Sequence, residues 1–221
     1  KKTQDTDFHY LLDEFADLKV IRFRVPGWDN LSLRQKEYAY HLSEAAKLGR
    51  DITWDQYCKW NLPIRHVVED ILNEYKGDRE CADFQNFTVY AKRLFFANGI
   101  HHHYSEDKFF PECPKEYFQS LMEAVGDGEQ ATELLEVIYS PDIYPQRRST
   151  SKTGDIVELS AVNFYDGVTR EEVDKYYNSM MDPNDKTPIS YGLNTKVVKE
   201  DGKVVEKPWK VGGIYGPALE R

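Results

Sequence analysis

Up to about Ser140 the apolar residues recur mainly at three- and four-residue intervals, and beyond it the pattern mixes helical and two-residue periods. The clearest stripe is Phe87, Ala91, Leu94 and Phe95, one face of a helix. Asp83 is its predicted cap and Asn98-Gly99 its stop, with glycine in the left-handed position that follows many helices. Before it, Phe8, Leu11, Leu12 and Phe15 predict a short helix over 7–17, and the alternation from Val20 to Val25 predicts a strand ended by Pro26-Gly27. Ser32 and Gln35 form a capping box for a helix over 33–48 closed by Gly49, whose Leu42, Ala45 and Ala46 suit close packing. A helical turn over 51–60 leads to an amphipathic helix from Pro63 to a stop at Gly77.

Further helices follow Pro114 and carry Leu134 to Ile138. Residues 140–155 have the composition of a loop or linker. Ile156 to Tyr165 is strand-like, and Thr169 with Glu172 is a second capping box for a helix to about Met180. Asp201-Gly202 between Leu193–Lys199 and Val204–Lys210 signals a β-hairpin. The expected fold is α+β: predominantly α-helical for the first two-thirds, with a small antiparallel hairpin toward the C-terminus. Its parts are a mainly helical 1–140, a loop at 141–155 and a mixed 156–221 of the same body. At 221 residues the chain can bury one substantial core, or one core with a satellite.

Composition narrows the function. A net charge of −9 argues against nucleic acid as the main partner, because phosphate binding needs a basic face. Cys58, Cys81 and Cys113 are odd in number and irregularly spaced, so no disulfide framework is expected. No apolar run is long enough to predict a membrane span. Pro217 reads as the first turn of a helix that the chain ends too soon to bury, so a piece of a longer protein is expected.

Candidate chemistry concentrates where the central helix ends, at Asn98-Gly99-Ile100-His101-His102-His103-Tyr104. In an extended loop His101 and His103 would face one way and His102 the other. At most two would then reach one ion, with Glu106 or Asp107 as the nearest carboxylates, whereas a catalytic zinc usually has three protein ligands. Histidines that hydrogen-bond backbone and line a cleft are the simpler reading, and a small metalloprotein using His101 and His103 is the alternative.

Three stretches resemble the dipeptidyl-peptidase III family, zinc exopeptidases that release dipeptides from peptide N-termini. They are Tyr38 to Ala46 (Y-A-Y-H-L-S-E-A-A), Asn98 to Tyr104 with Lys108 to Pro111, and Asn194 to Lys199 with Trp209 to Glu220. The middle and last resemble the bacterial branch, and all three occur in the expected order. The family's zinc motifs, H-E-x-x-G-H and E-E-x-x-A-D, are absent from this sequence. The resemblance therefore implies the N-terminal part of the non-zinc lobe, inactive alone, with no zinc ligands of its own. It implies short peptides and the family's catalytic lobe as partners, and substrate-cleft roles for Tyr104, with His103 and Asn98 beside it. It also implies a cytoplasmic enzyme, or an exported one if a leader precedes the chain. The competing reading is a stand-alone peptide-binding module without catalysis.

Overall fold

A computed structural model describes residues 8–187, 189, 194–209, 215, 216 and 220. The fold is α+β, and the chain forms two compact units that divide between Lys47 and Leu48.

In the first unit, strands β1 (Leu11–Phe15) and β2 (Leu18–Ile21) pair antiparallel. The helix expected over 7–17 is therefore a hairpin arm. Ala16 turns the chain in a left-handed conformation (φ 49°) and brings Leu18 opposite Phe15. The Arg22 and Arg24 guanidiniums both sit 4.5 Å from the centroid of the Phe8 ring, which fastens the two ends of the ribbon. The second strand ends at Ile21, short of the expected Pro26-Gly27. Helix α1 (Leu33–Leu48) starts at the predicted capping box: Gln35 Oε1 accepts from the Ser32 amide at 2.9 Å, and Ser32 Oγ from the Gln35 amide at 3.3 Å. Its Leu42–Ala45–Ala46 face, expected to pack closely, buries none of its residues.

The second unit holds the core. Helix α2 (Arg50–Tyr57) follows α1 directly, because Gly49 keeps helical angles (φ −73°) where a left-handed stop was expected. Helices α3 (Asn61–Glu74), α4 (Ala82–Ala97), α5 (Lys115–Val125) and α6 (Ala131–Tyr139) then converge on one another. Val68, Ile71, Phe87, Leu94, Phe118, Leu121, Met122 and Leu135 are fully buried among them. Three helix-end expectations are corrected. Helix α3 stops at Tyr75 rather than Gly77. Cys81 is the N-cap of α4, leaving Asp83 in the first turn, where its charge still suits the helix dipole. Asn98 itself, not Gly99, adopts the left-handed conformation (φ 56°) that ends α4.

Beyond α6, residues 140–155, expected to be a loop or linker, form neither a helix nor a named strand and are hydrogen-bonded into the unit. Gln146 bridges Asp107 on one side and Ser160 on the other. The strand expected over Ile156–Tyr165 shrinks to β3 (Tyr165–Asp166). Asp155 Oδ1 accepts from the amides of Val157 and Glu158, and Ser160 Oγ donates to the Ile156 carbonyl, so this stretch is coiled into turns. Helix α7 (Arg170–Met180) begins at the predicted Thr169–Glu172 capping box. Strands β4 (Thr195–Glu200) and β5 (Lys203–Pro208) form the predicted hairpin, with Asp201 and Gly202 both at positive φ, and β3 joins β4 in parallel. Val168, Val173 and Val197 make a small second cluster beneath them. The helical turn expected at Pro217 lies outside the described residues.

Asn61 is a polar residue fully buried in the core, at the start of α3. Its Nδ2 donates to the Trp54 carbonyl at 3.0 Å and the Asn98 carbonyl at 3.4 Å, while Oδ1 accepts from the Ile100 amide at 3.2 Å. Gly99 (φ 149°) lets the chain pass this close, since a Cβ there would lie 2.2 Å from Asn61 Nδ2. Asn61→Ala is expected to leave the Ile100 amide buried and unpaired, lowering stability by about 2–4 kcal/mol. Gly99→Ala is expected to cost at least as much. Urea unfolding of both variants checks this, and midpoints within error of the parent would contradict it.

Candidate functional site

Ile100 and Phe109 are both core residues, and the Phe109 amide donates to the Ile100 carbonyl at 3.2 Å. The Phe109 ring meets Tyr90 edge-on at 5.6 Å and carries Arg93 over its face at 4.5 Å. Between these anchors the chain makes a closed loop. His101 bridges Lys108, the His102 amide donates to the Asp107 carbonyl at 2.8 Å, and the Glu106 amide donates back to the His102 carbonyl at 3.0 Å. Tyr104 stands at the tip, 88 % exposed.

The three histidines occupy three different environments. His101 is buried, with Nε2 donating to the Tyr144 carbonyl at 2.9 Å; burial lowers its pKa to about 4, so the ring is neutral at pH 7. Its Nδ1 finds no hydrogen-bond partner among the described residues. His102 folds over the loop, and its Nδ1 accepts from the amides of Tyr104 (3.2 Å) and Ser105 (3.1 Å). His103 is exposed and edge-on to Phe96 at 5.0 Å. Asn98 is half-buried, and its backbone serves as the α4 cap held by Asn61. Of the three cleft candidates, Tyr104 and His103 thus face solvent and Asn98 sits at the base of the loop.

The loop histidines do not fit a zinc ion. His101 spends Nε2 on a carbonyl inside the protein while His103 lies outside, and no group of three or more potential ligands occurs among the described residues. Nor is any helix among them long and apolar enough to cross a membrane.

What braces the loop was not readable from sequence. The Glu106 carboxylate accepts from Arg147 Nη2 at 2.7 Å and from the exposed Arg148, whose Nε lies at 2.8 Å. Arg147 is itself buried, its guanidinium 4.2 Å from the centroid of the Tyr57 ring. Hydrogen bonds to Arg148 and Arg147 hold the Glu106 carboxyl down at about 2. Lys108 is buried beside them with Nζ donating to the carbonyls of Ser140 (2.6 Å) and Ile143 (2.8 Å), and burial lowers its pKa to about 8. The backbone continues the brace: Lys108 donates to Pro145, Arg147 to Glu106, and Val162 to Arg147. Glu106 (φ 66°) and Tyr144 (φ 51°) hold conformations unusual for their residue types. The braced frame therefore presents the Tyr104 ring to solvent.

No family model matches this chain, and no curated protein does.

The brace predicts a pH dependence. The folded pKa of His101 lies below its ordinary 6.5, so between about 6.5 and 4 the unfolded chain binds more protons and stability falls as pH falls. Glu106 acts lower: its contribution is complete above about 4.5 and lost as pH drops through about 2. Urea midpoints measured across this range should flatten between pH 6.5 and 4 in His101→Gln. Glu106→Gln should lower the midpoint at pH 7 and converge on the parent near pH 2. Parallel profiles for parent and variants would refute the assignment.

Proposed function

We propose that this chain is the substrate-cleft lobe of a zinc dipeptidyl-peptidase, inactive by itself, with the zinc held by residues outside it. The observation that carries the reading is the contrast between Tyr104 and its surroundings. Within the stretch that resembles the family, Ile100, His101, Lys108, Phe109 and Pro111 are buried and shape the loop. Tyr104 takes no part in that packing, so the frame positions its ring without using it.

Such a ring suits the N-terminal end of a peptide. It offers flat apolar area with few rotamers to freeze, and an ammonium over its face gains up to about 2 kcal/mol when desolvated. His103, exposed against Phe96, supplies a neighbouring polar edge. Asn98 contributes by fixing the loop's base rather than by touching substrate. With two lobes closing over an extended peptide, each would hold only part of the contacts.

The test uses the complete protein loaded with zinc and a dipeptidyl naphthylamide as substrate. Dipeptide release is expected from the complete protein and not from the 221-residue chain. Tyr104→Ala should raise KM about 10- to 30-fold, with kcat changing much less. An unchanged KM would place Tyr104 outside the cleft. Absence of dipeptide release by the complete protein would end the peptidase reading and favour the binding module.

A further inference from the structure

We propose that the groove beside α6 is a docking site for a basic peptide segment, one that sets a lysine or arginine next to an apolar residue. The inference is independent of the peptidase reading, because none of the groove's residues belongs to the Tyr104 loop.

The groove has a volume of about 520 Å³. Its floor is Trp60, Val137, Ile143 and Tyr144, and its rim carries Glu129 and Glu133. Glu129, Glu133 and Glu136 fall at i, i+4 and i+7, so the helical turn and α6 align them along one edge. Glu136 is paired with Lys115 at 3.1 Å, but Glu129 and Glu133 form no ion pair among the described residues. Two exposed carboxylates without an ion-pair partner among the described residues thus overlook an aromatic and aliphatic floor.

Lys59 indicates what the floor accepts. Its ammonium lies 5.7 Å from the centroid of the Trp60 ring, within the reach of a cation–π contact. Lys59 is exposed, so it can yield the ring to an incoming cation that also reaches the two glutamates. A basic side chain answers both features, its aliphatic stem on Val137 and Ile143 and its charge at the rim. An acidic segment would meet carboxylates of like charge. A purely apolar one would place no positive charge opposite the two carboxylates. Charge complementarity therefore selects the basic occupant.

The probe is acetyl-Ala-Lys-Leu-Lys-amide, followed through the Trp60 indole N–H resonance of the 221-residue chain at low ionic strength. Its capped amine removes any contribution from recognition of a peptide N-terminus. Saturable binding is expected, weakening at physiological salt because the contacts are at the surface. The Glu129→Gln/Glu133→Gln double variant should bind at least about tenfold more weakly. Lys59→Gln should bind severalfold more tightly, since it removes the competing cation. Glu171→Gln, an exposed change outside the groove, should match the parent. Acetyl-Ala-Glu-Leu-Glu-amide should not bind. The proposal is overturned by no shift at Trp60 up to millimolar peptide, by equal binding of the acidic peptide, or by affinity within twofold in the double variant. Weakened binding by Lys59→Gln would overturn it too.

Discussion

The buried amide of Asn61 decides where the central helix releases the chain. A helix end leaves carbonyls without partners and its following residues without direction. Here one side chain serves both needs, donating to the Asn98 carbonyl and accepting from the Ile100 amide, while a second donor contact ties it to Trp54. The left-handed turn at Asn98 and the side-chain-free Gly99 make that approach possible. With the exit fixed, Ile100 and Phe109 enter the core together and the eight residues between them must form a closed loop. Everything the loop displays follows from this one polar group, whose burial is tolerable because both ends of its amide are paired.

The second constraint is electrostatic and works on register more than on net stability. Burying a charged pair recovers little energy over an apolar replacement, yet breaking one leaves a charge without compensation. Arg147 lies between the Glu106 carboxylate and the Tyr57 ring, and Arg148 closes the same carboxylate from outside. The backbone of 145–147 can therefore meet 106–108 in one alignment only. Lys108 reinforces it from the other side, its ammonium satisfied by two carbonyls rather than by a counter-charge.

Local chemistry made much of this fold legible. Both capping boxes, Ser32–Gln35 and Thr169–Glu172, are realised, and Asp201-Gly202 turns the hairpin its composition announced. The core helices followed from period alone. What failed were segments decided by distant partners. Phe8, Leu11, Leu12 and Phe15 fit a helical stripe, but cross-strand pairing and two arginines on Phe8 outweigh so short a pattern. Ile156–Tyr165 read as a strand because the turn-forming role of the Asp155 carboxylate is invisible in an apolar count. At the candidate site, the histidines stood out and Tyr104 with them. Glu106 was legible only as a nearby carboxylate, and neither its pairing with Arg147 nor the burial of Asn61 could be read, because charged and amide side chains give no sign of burial until their partners, some 40 positions away, are placed beside them.

The loop that follows α6 joins the two candidate surfaces. On one side Ile143 and Tyr144 form floor of the acidic groove. On the other, the Ile143 carbonyl receives Lys108 and the Tyr144 carbonyl receives His101, both from the loop that bears Tyr104. Tyr144 holds a left-handed backbone (φ 51°), costly for a residue with a side chain, and it lines the groove while its carbonyl accepts from the buried His101 imidazole. One short segment thus walls the groove and braces the loop at once, with a left-handed residue where the two roles meet.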